Sequence, residues 1–198
     1  MAKKDLAAIS MTYGNIYVAQ VAMGYSDSQT VRAFAEAESF EGPSLLLAYS
    51  HCINMGIDMT TGYDRQKAAV QSGVWPLFRF DPRLAAQGEN PLQIDSKEPS
   101  LSFEDFAYQE NRFNMLKKSN PAAASILADK AQKHVWTRWD ILKQQAGMTY
   151  NSECPFDTGV VDEKVLAATG AKEVTSTTTG ANCPVDCEVS PVKPDDHA

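Results

Sequence analysis

The chain has 198 residues, 43% of them hydrophobic and 22% charged, with a formal net charge of −7. That length and composition allow one globular domain with a real core plus an appendage. No basic patch is present to neutralise phosphates, which argues against nucleic acid as a partner, and no apolar run approaches the length of a membrane span.

The start, Met1-Ala2-Lys3-Lys4-Asp5-Leu6, has no apolar segment behind it, so no signal peptide is expected and the reading is a cytoplasmic protein. Asp5 to Thr12 is predicted as a short amphipathic helix with Leu6 and Ile9 on one face, ended by Gly14. Asn15 to Met23 is rich in Ile, Tyr and Val and reads as a strand. Asp27 or Ser28 caps a helix to about Ser39, with Val31, Phe34 and Ala35 as its apolar face and Arg32 and Glu36 as an exposed i,i+4 pair.

Gly42-Pro43 signals a turn, and the apolar run Leu45 to Tyr49 then reads as a strand buried on both faces, as in a parallel sheet. Strand, helix and strand in about 35 residues make a βαβ unit. Two parallel strands do not form a sheet of their own, and the rest of the chain offers no obvious neighbours for them. The pattern is therefore that of the second half of an α/β domain.

Residues 55–62 read as a loop, and Tyr63 to Ser72 as a short helix ended by Gly73. Trp75 to Phe80, broken by Pro76, reads as an edge strand or a loop. Asp81-Pro82 and Gly88-Glu89-Asn90-Pro91 are turn signals. Ser102 with Asp105 opens a helix to about Lys118, with Phe106, Phe113 and Leu116 on its packing side. Asn120-Pro121 opens the longest helix, to about Gln145, whose stripe is Leu127, Ala131, Val135, Trp139 and Leu142. From Gly147 the composition shifts to loop chemistry, and only Val160 to Ala168 reads as a helix. Residues 147–198 hold nine acids and three bases, a net of −6, which leaves −1 for the remainder. The expected division is 1–146 as the globular part and 147–198 as an acidic extension.

Cys52 is the only cysteine in the first 150 residues. It falls just past an apolar strand, where ligands of open α/β sheets collect. Read from the residues alone, it is a buried free cysteine or a functional thiol. His51 beside it does not make a nucleophile–base pair, because adjacent residues on an extended segment point to opposite faces and no third orienting group is identifiable. His134 is mid-helix and His197 terminal, and neither reads as a ligand. Cys183-Pro184-Val185-Asp186-Cys187 with Cys154 offers three sulfurs and no convincing fourth ligand, so a bridge and free thiols both stay open there.

Several phrases carry a family resemblance. They are Tyr17-Val18-Ala19-Gln20-Val21-Ala22-Met23-Gly24, Ala33-Phe34-Ala35-Glu36-Ala37-Glu38, Gly42-Pro43-Ser44, Ala48-Tyr49-Ser50-His51-Cys52-Ile53-Asn54 and Asp95-Ser96-Lys97-Glu98-Pro99. Together they resemble pyruvate:ferredoxin (flavodoxin) oxidoreductase, near the end of its thiamine-diphosphate-binding domain and over roughly residues 3 to 145. The resemblance implies an α/β fold: the second half of a thiamine-diphosphate-binding-type parallel-sheet domain, followed by helices and an irregular tail.

The implied function is a C-terminal portion of an enzyme that oxidatively decarboxylates pyruvate to acetyl-CoA, with coenzyme A and pyruvate as substrates and ferredoxin or flavodoxin as electron acceptor. The implied cofactors are thiamine diphosphate with Mg2+ and [4Fe-4S] clusters, in a homodimer when complete. Cys52 matches the family's ligand to the cluster nearest the thiamine cofactor, so it is the one metal- and cofactor-binding residue carried over. The Gly-Asp-Gly segment that anchors the pyrophosphate in this family does not occur in the chain. No catalytic, thiamine or Mg2+ residue is therefore assigned. The isolated chain is expected to be inactive, with the remaining domains or subunit of the enzyme as its partners. The other reading is a non-catalytic split subunit or remnant acting only as a partner-binding module.

Overall fold

The computed structural model of the chain describes residues 4–52 and 56–150. The helix expected at Val160 to Ala168, and Ile53, Asn54, Cys154, Cys183, Cys187 and His197, lie outside the described residues. The element order is α1 (Leu6–Met11), β1 (Tyr17–Val21), α2 (Asp27–Glu38), β2 (Ser44–Ala48), a 3-10 turn (Met59–Thr61), α3 (Gly62–Gln71), β3 (Phe78–Phe80), α4 (Pro82–Ala85), β4 (Leu92–Ile94), α5 (Phe103–Ala107), α6 (Asn111–Ser119) and α7 (Pro121–Ala146).

The architecture is α/β. One four-stranded sheet has the order β2-β1-β3-β4. The expected βαβ unit is present: β1 and β2 pair in parallel, from Tyr17↔Ser44 to Val21↔Ala48, with α2 as the crossover. The chain does supply further neighbours, against expectation. β3 pairs antiparallel to β1 and β4 antiparallel to β3, so the sheet is mixed. β3 is an interior strand rather than an edge or a loop. Pro76 lies before the paired run, and its carbonyl accepts a 2.7 Å hydrogen bond from the buried Gln20 side chain. β2 is an edge strand, and its residues are half-buried or exposed rather than hidden on both faces. With β1 on one side only, the leucine run lacks a second strand to cover it.

Alternation along the strands divides the core into two layers. Tyr17, Ala19 and Val21 face α2 through Ala33. Val18, Phe78, Phe80 and Leu92 face the opposite side, against Ala7 of α1 and Trp139 and Leu142 of α7. The helices turn different faces inward from those expected. α1 buries Ala7 and Ser10 and leaves Leu6 and Ile9 exposed, while α2, capped by Ser26, buries Gln29, Thr30 and Ala33 and leaves Val31 and Phe34 exposed. Small side chains let these helices approach the sheet, and the large apolar ones point away.

The helix expected over Ser102 to Lys118 is two helices. Glu110 takes an extended backbone conformation, is buried, and stands as the N-cap of α6. The Asn114 side chain then donates to the Tyr108 carbonyl at 2.7 Å, at the break. α7 begins as expected, with the Asn120 side chain accepting from the Ala123 amide and Pro121 in the first turn. It buries Val135, Trp139 and Leu142, but its first half buries Ala124 and Ala128 in place of Leu127 and Ala131.

A buried polar network ties α2 to the sheet. Arg79, 7% exposed in the middle of β3, donates to Asp95 through Nε and Nη2, both at 2.8 Å, to Gln93 at 2.9 Å, and to Glu36. Tyr17 donates to the same Glu36 at 2.9 Å, and Gln29 donates to Asp95 at 2.9 Å. Glu36 is thus a partner of Arg79 and Tyr17, not of Arg32. The hydrogen bonds to Asp95, and then the one to Glu36, hold the guanidinium above its already high ordinary value against the opposing effect of burial. The phrase Asp95 to Pro99 has a structural content: Asp95 takes the arginine, Ser96 Oγ accepts from the Leu77 amide at 3.0 Å, and Pro99 packs onto Gly73. Gly73 ends α3 with φ +73°, and a Cβ there would stand 2.6 Å from Pro99 Cγ, so glycine is required twice over.

Candidate functional site

The two parallel strands end side by side, β1 at Val21 and β2 at Ala48. The Val21 carbonyl binds them together, accepting from the Tyr49 amide and from the Trp75 indole N–H, each at 3.0 Å. Beyond β1 the chain turns through Gly24, whose amide donates to Gln66 Oε1 at 2.7 Å. A Cβ on Gly24 would sit 2.9 Å from both Gln66 and Tyr63, so α3 crosses the strand ends at a distance only glycine permits.

An open cleft of about 440 Å3 lies over these ends, lined among others by Met23, Phe34, Ala48, Tyr49, His51 and Tyr63. Its position at the carboxyl ends of a parallel pair is where open α/β sheets bind ligands. Its walls are largely apolar, which explains why Phe34 and Met23 stay exposed. Tyr49 stacks edge-on against Trp75 and against His51, with centroids 5.5 and 5.4 Å apart. Burial, and then the Glu110 carboxylate, holds the Tyr49 hydroxyl above its ordinary value.

Cys52 follows Ser50 and His51 out of this cleft. It is an exposed free thiol, not a core residue. No hydrogen bond joins His51 to Cys52 among the described residues; His51 Nε2 is engaged with the Gly62 carbonyl at 2.6 Å. His134 lies on the exposed side of α7. Among the described residues, no group of three or more His, Cys, Asp or Glu side chains could hold a metal ion. As a single exposed thiol, Cys52 can supply at most one thiolate to a metal centre.

Sequence reasoning points to Cys52 and to the ends of the parallel strands. It misses the cleft walls, since Phe34 reads as a core residue and Tyr63 and Gln66 carry no signal at all. Tyr63 and Gln66 lie 29 and 32 residues beyond Phe34 in the sequence, and the three meet only through the crossing of α3 over β1. No helix among the described residues is long and apolar enough to cross a membrane.

No family model matches the chain. Individual relatives do. Over 144 residues, 73% of the chain, it is 54% identical to the pyruvate-flavodoxin oxidoreductase of Nostoc sp., of which this covers 12%. It is 47% identical over 144 residues, again 73% of the chain and 12% of the relative, to the pyruvate:ferredoxin oxidoreductase of Moorella thermoacetica. It is 42% identical over 151 residues, 76% of the chain and 13% of the relative, to a probable pyruvate-flavodoxin oxidoreductase of Escherichia coli. The chain thus spans about an eighth of the length of the curated relatives it matches.

Proposed function

We propose that this chain, a homologue of one segment of the pyruvate-flavodoxin and pyruvate:ferredoxin oxidoreductases, acts as the part of such an enzyme that closes the thiamine-diphosphate-binding domain and hands one ligand to an iron–sulfur cluster. The whole enzyme converts pyruvate and coenzyme A to acetyl-CoA and CO2, and the two electrons released leave one at a time for ferredoxin or flavodoxin. The observation that carries this reading is the placement of Cys52: an exposed thiol directly past a parallel strand pair and beside an apolar cleft.

The chain's own contribution is positional. β1 and β2 set the floor of the cleft, α3 and α2 supply its walls, and the Cys52 thiolate is offered at its end. A bound [4Fe-4S] cluster would supply one-electron relay chemistry. Thiamine diphosphate and Mg2+ are anchored by other polypeptide, since Gly-Asp-Gly does not occur in this sequence. That same lack favours a second reading, a split subunit or remnant that only binds a partner. We assign 1–146 to the domain and 147–198 to an acidic extension, in a complex that is homodimeric when complete.

The test is co-expression with a polypeptide that carries the thiamine motif and the other cluster ligands. Pyruvate-dependent reduction of a viologen dye is expected from the complex and not from the chain alone. In the complex, Cys52→Ser should deplete one cluster or shift its potential and leave thiamine binding intact, because serine oxygen is a harder and poorer ligand for iron. Electron paramagnetic resonance reads the difference. An unchanged set of cluster signals in Cys52→Ser overturns the ligand assignment, and an assembled but inactive complex favours the partner-binding reading.

A further inference from the structure

We propose that His51 is a positioning residue, a clasp that fixes the Cys52-bearing end of β2 against the start of α3. The proposal rests on the reading of Cys52 as a cluster ligand and adds to it the device that holds the thiolate in place.

The bond from His51 to Gly62 spans eleven residues. A carbonyl only accepts, so Nε2 carries the hydrogen. Nδ1 is buried and has no partner among the described residues. A ring held at the cost of one bare nitrogen is held for its other contacts. Those contacts form a continuous series. The Trp75 indole donates to the end of β1, Trp75 packs edge-on against Tyr49, Tyr49 packs edge-on against His51, and His51 donates to Gly62.

The ring lies directly against Gly62: a Cβ there would stand in van der Waals contact with it, 3.4 Å from His51 Cδ2 and 3.5 Å from Nε2, and a larger side chain would press on it. A second tie lies further along, where the Asn111 side chain donates to the Gly56 carbonyl. Residue 52 is therefore the first residue beyond a side chain anchored to two elements. Ser50 and Cys52 on either side of His51 are exposed, and a metal site works best when its ligands are held in place by their supporting contacts. His51 itself is not read as a ligand, because its unprotonated nitrogen, Nδ1, is buried away from the surface where Cys52 stands.

Two substitutions separate the clasp from mere packing. His51→Phe keeps the ring against Tyr49 and loses the donor. His51→Gln keeps a donor at similar reach. The first measurement uses the full chain with Cys154, Cys183 and Cys187 changed to serine and a nitroxide label on Cys52. The label should become about twofold more mobile in His51→Phe and stay near the parent value in His51→Gln. The second uses the assembled complex, where iron release to a chelator from the cluster that Cys52→Ser perturbs should be about tenfold faster in His51→Phe.

Gly62→Val, with His51 intact, displaces the ring from the other side and should reproduce both effects if His51→Phe fails to fold. A folded His51→Phe protein with unchanged label mobility and unchanged iron release overturns the clasp. If Cys52→Ser leaves every cluster signal intact, the ligand reading fails, while the label comparison still decides the clasp.

Discussion

Replacing Arg79 by methionine tests what holds α2 to the sheet. Arg79 is the only cation in the network of Tyr17, Gln29, Glu36, Gln93 and Asp95, and its side chain is 8% exposed against 14% for Asp95 and 28% for Glu36. Methionine fills much the same volume, so the loss is electrostatic. Removing one partner of a buried pair costs about 3–5 kcal/mol, because a charge is left without compensation. Glu36 can turn partly to water and Asp95 keeps its hydrogen bond from Gln29, which places the expected cost at the lower end, near ~3 kcal/mol. A chain of this size has about 5–15 kcal/mol in all, so the change should move a urea midpoint by a large fraction of its value with the slope unaltered. Arg79→Lys keeps the charge but loses the two-pronged contact with Asp95 and should cost roughly half as much. In the Arg79→Met background, Asp95→Asn should cost much less than it does alone, since the pair acts as a unit. A destabilisation by Arg79→Met below about 1 kcal/mol, or additivity with Asp95→Asn within about 0.5 kcal/mol, would refute this account.

Two further predictions concern the same sheet. Burial, and then the hydrogen bond to Glu36, raises the Tyr17 hydroxyl far above its ordinary value. A group raised in the folded state gives stability that is whole below its unfolded value, about 10 for tyrosine, and is lost as pH climbs from there toward the folded value. Stability measured between about pH 9 and 11 should therefore fall less steeply in Tyr17→Phe than in the parent, and equal slopes would remove Tyr17 as the cause. The open edge of β2, with its half-buried leucines beside exposed Val31 and Phe34, should make the isolated chain self-associate. Leu46→Lys should shift sedimentation toward monomer, and a parent chain already monodisperse with a sharp cooperative melt would count against β2 as an uncovered edge.

Much of the local structure is legible in the sequence because its causes are local. Asn120-Pro121 states where α7 starts, since a capping side chain and a proline with no amide to lose both belong there. Val and Ile around Tyr17 and the turn at Gly42-Pro43 delimit β1 and β2, and the helix between them makes the pair parallel. The motif phrases put Cys52 past the end of β2. Neighbours in space are not legible, because periodicity gives a face and never the element that face meets. β3 looks broken by Pro76 and by a charge in its middle. Arg79 is admissible inside a sheet only because Glu36 and Asp95, 43 residues before it and 16 after, close around it. The same limit misassigns Val31, Phe34 and Glu36. A large apolar residue on a helix reads as core, yet the close approach of α2 to the sheet selects Ala33 and turns Phe34 toward the cleft. The sequence determined the βαβ unit and the thiol at its end. Only the tertiary structure decided that β2 is an edge, that an arginine lies at the centre of the sheet, and that the thiol stands in the open beside a cleft, because each depends on contacts between residues that the chain brings together only when folded.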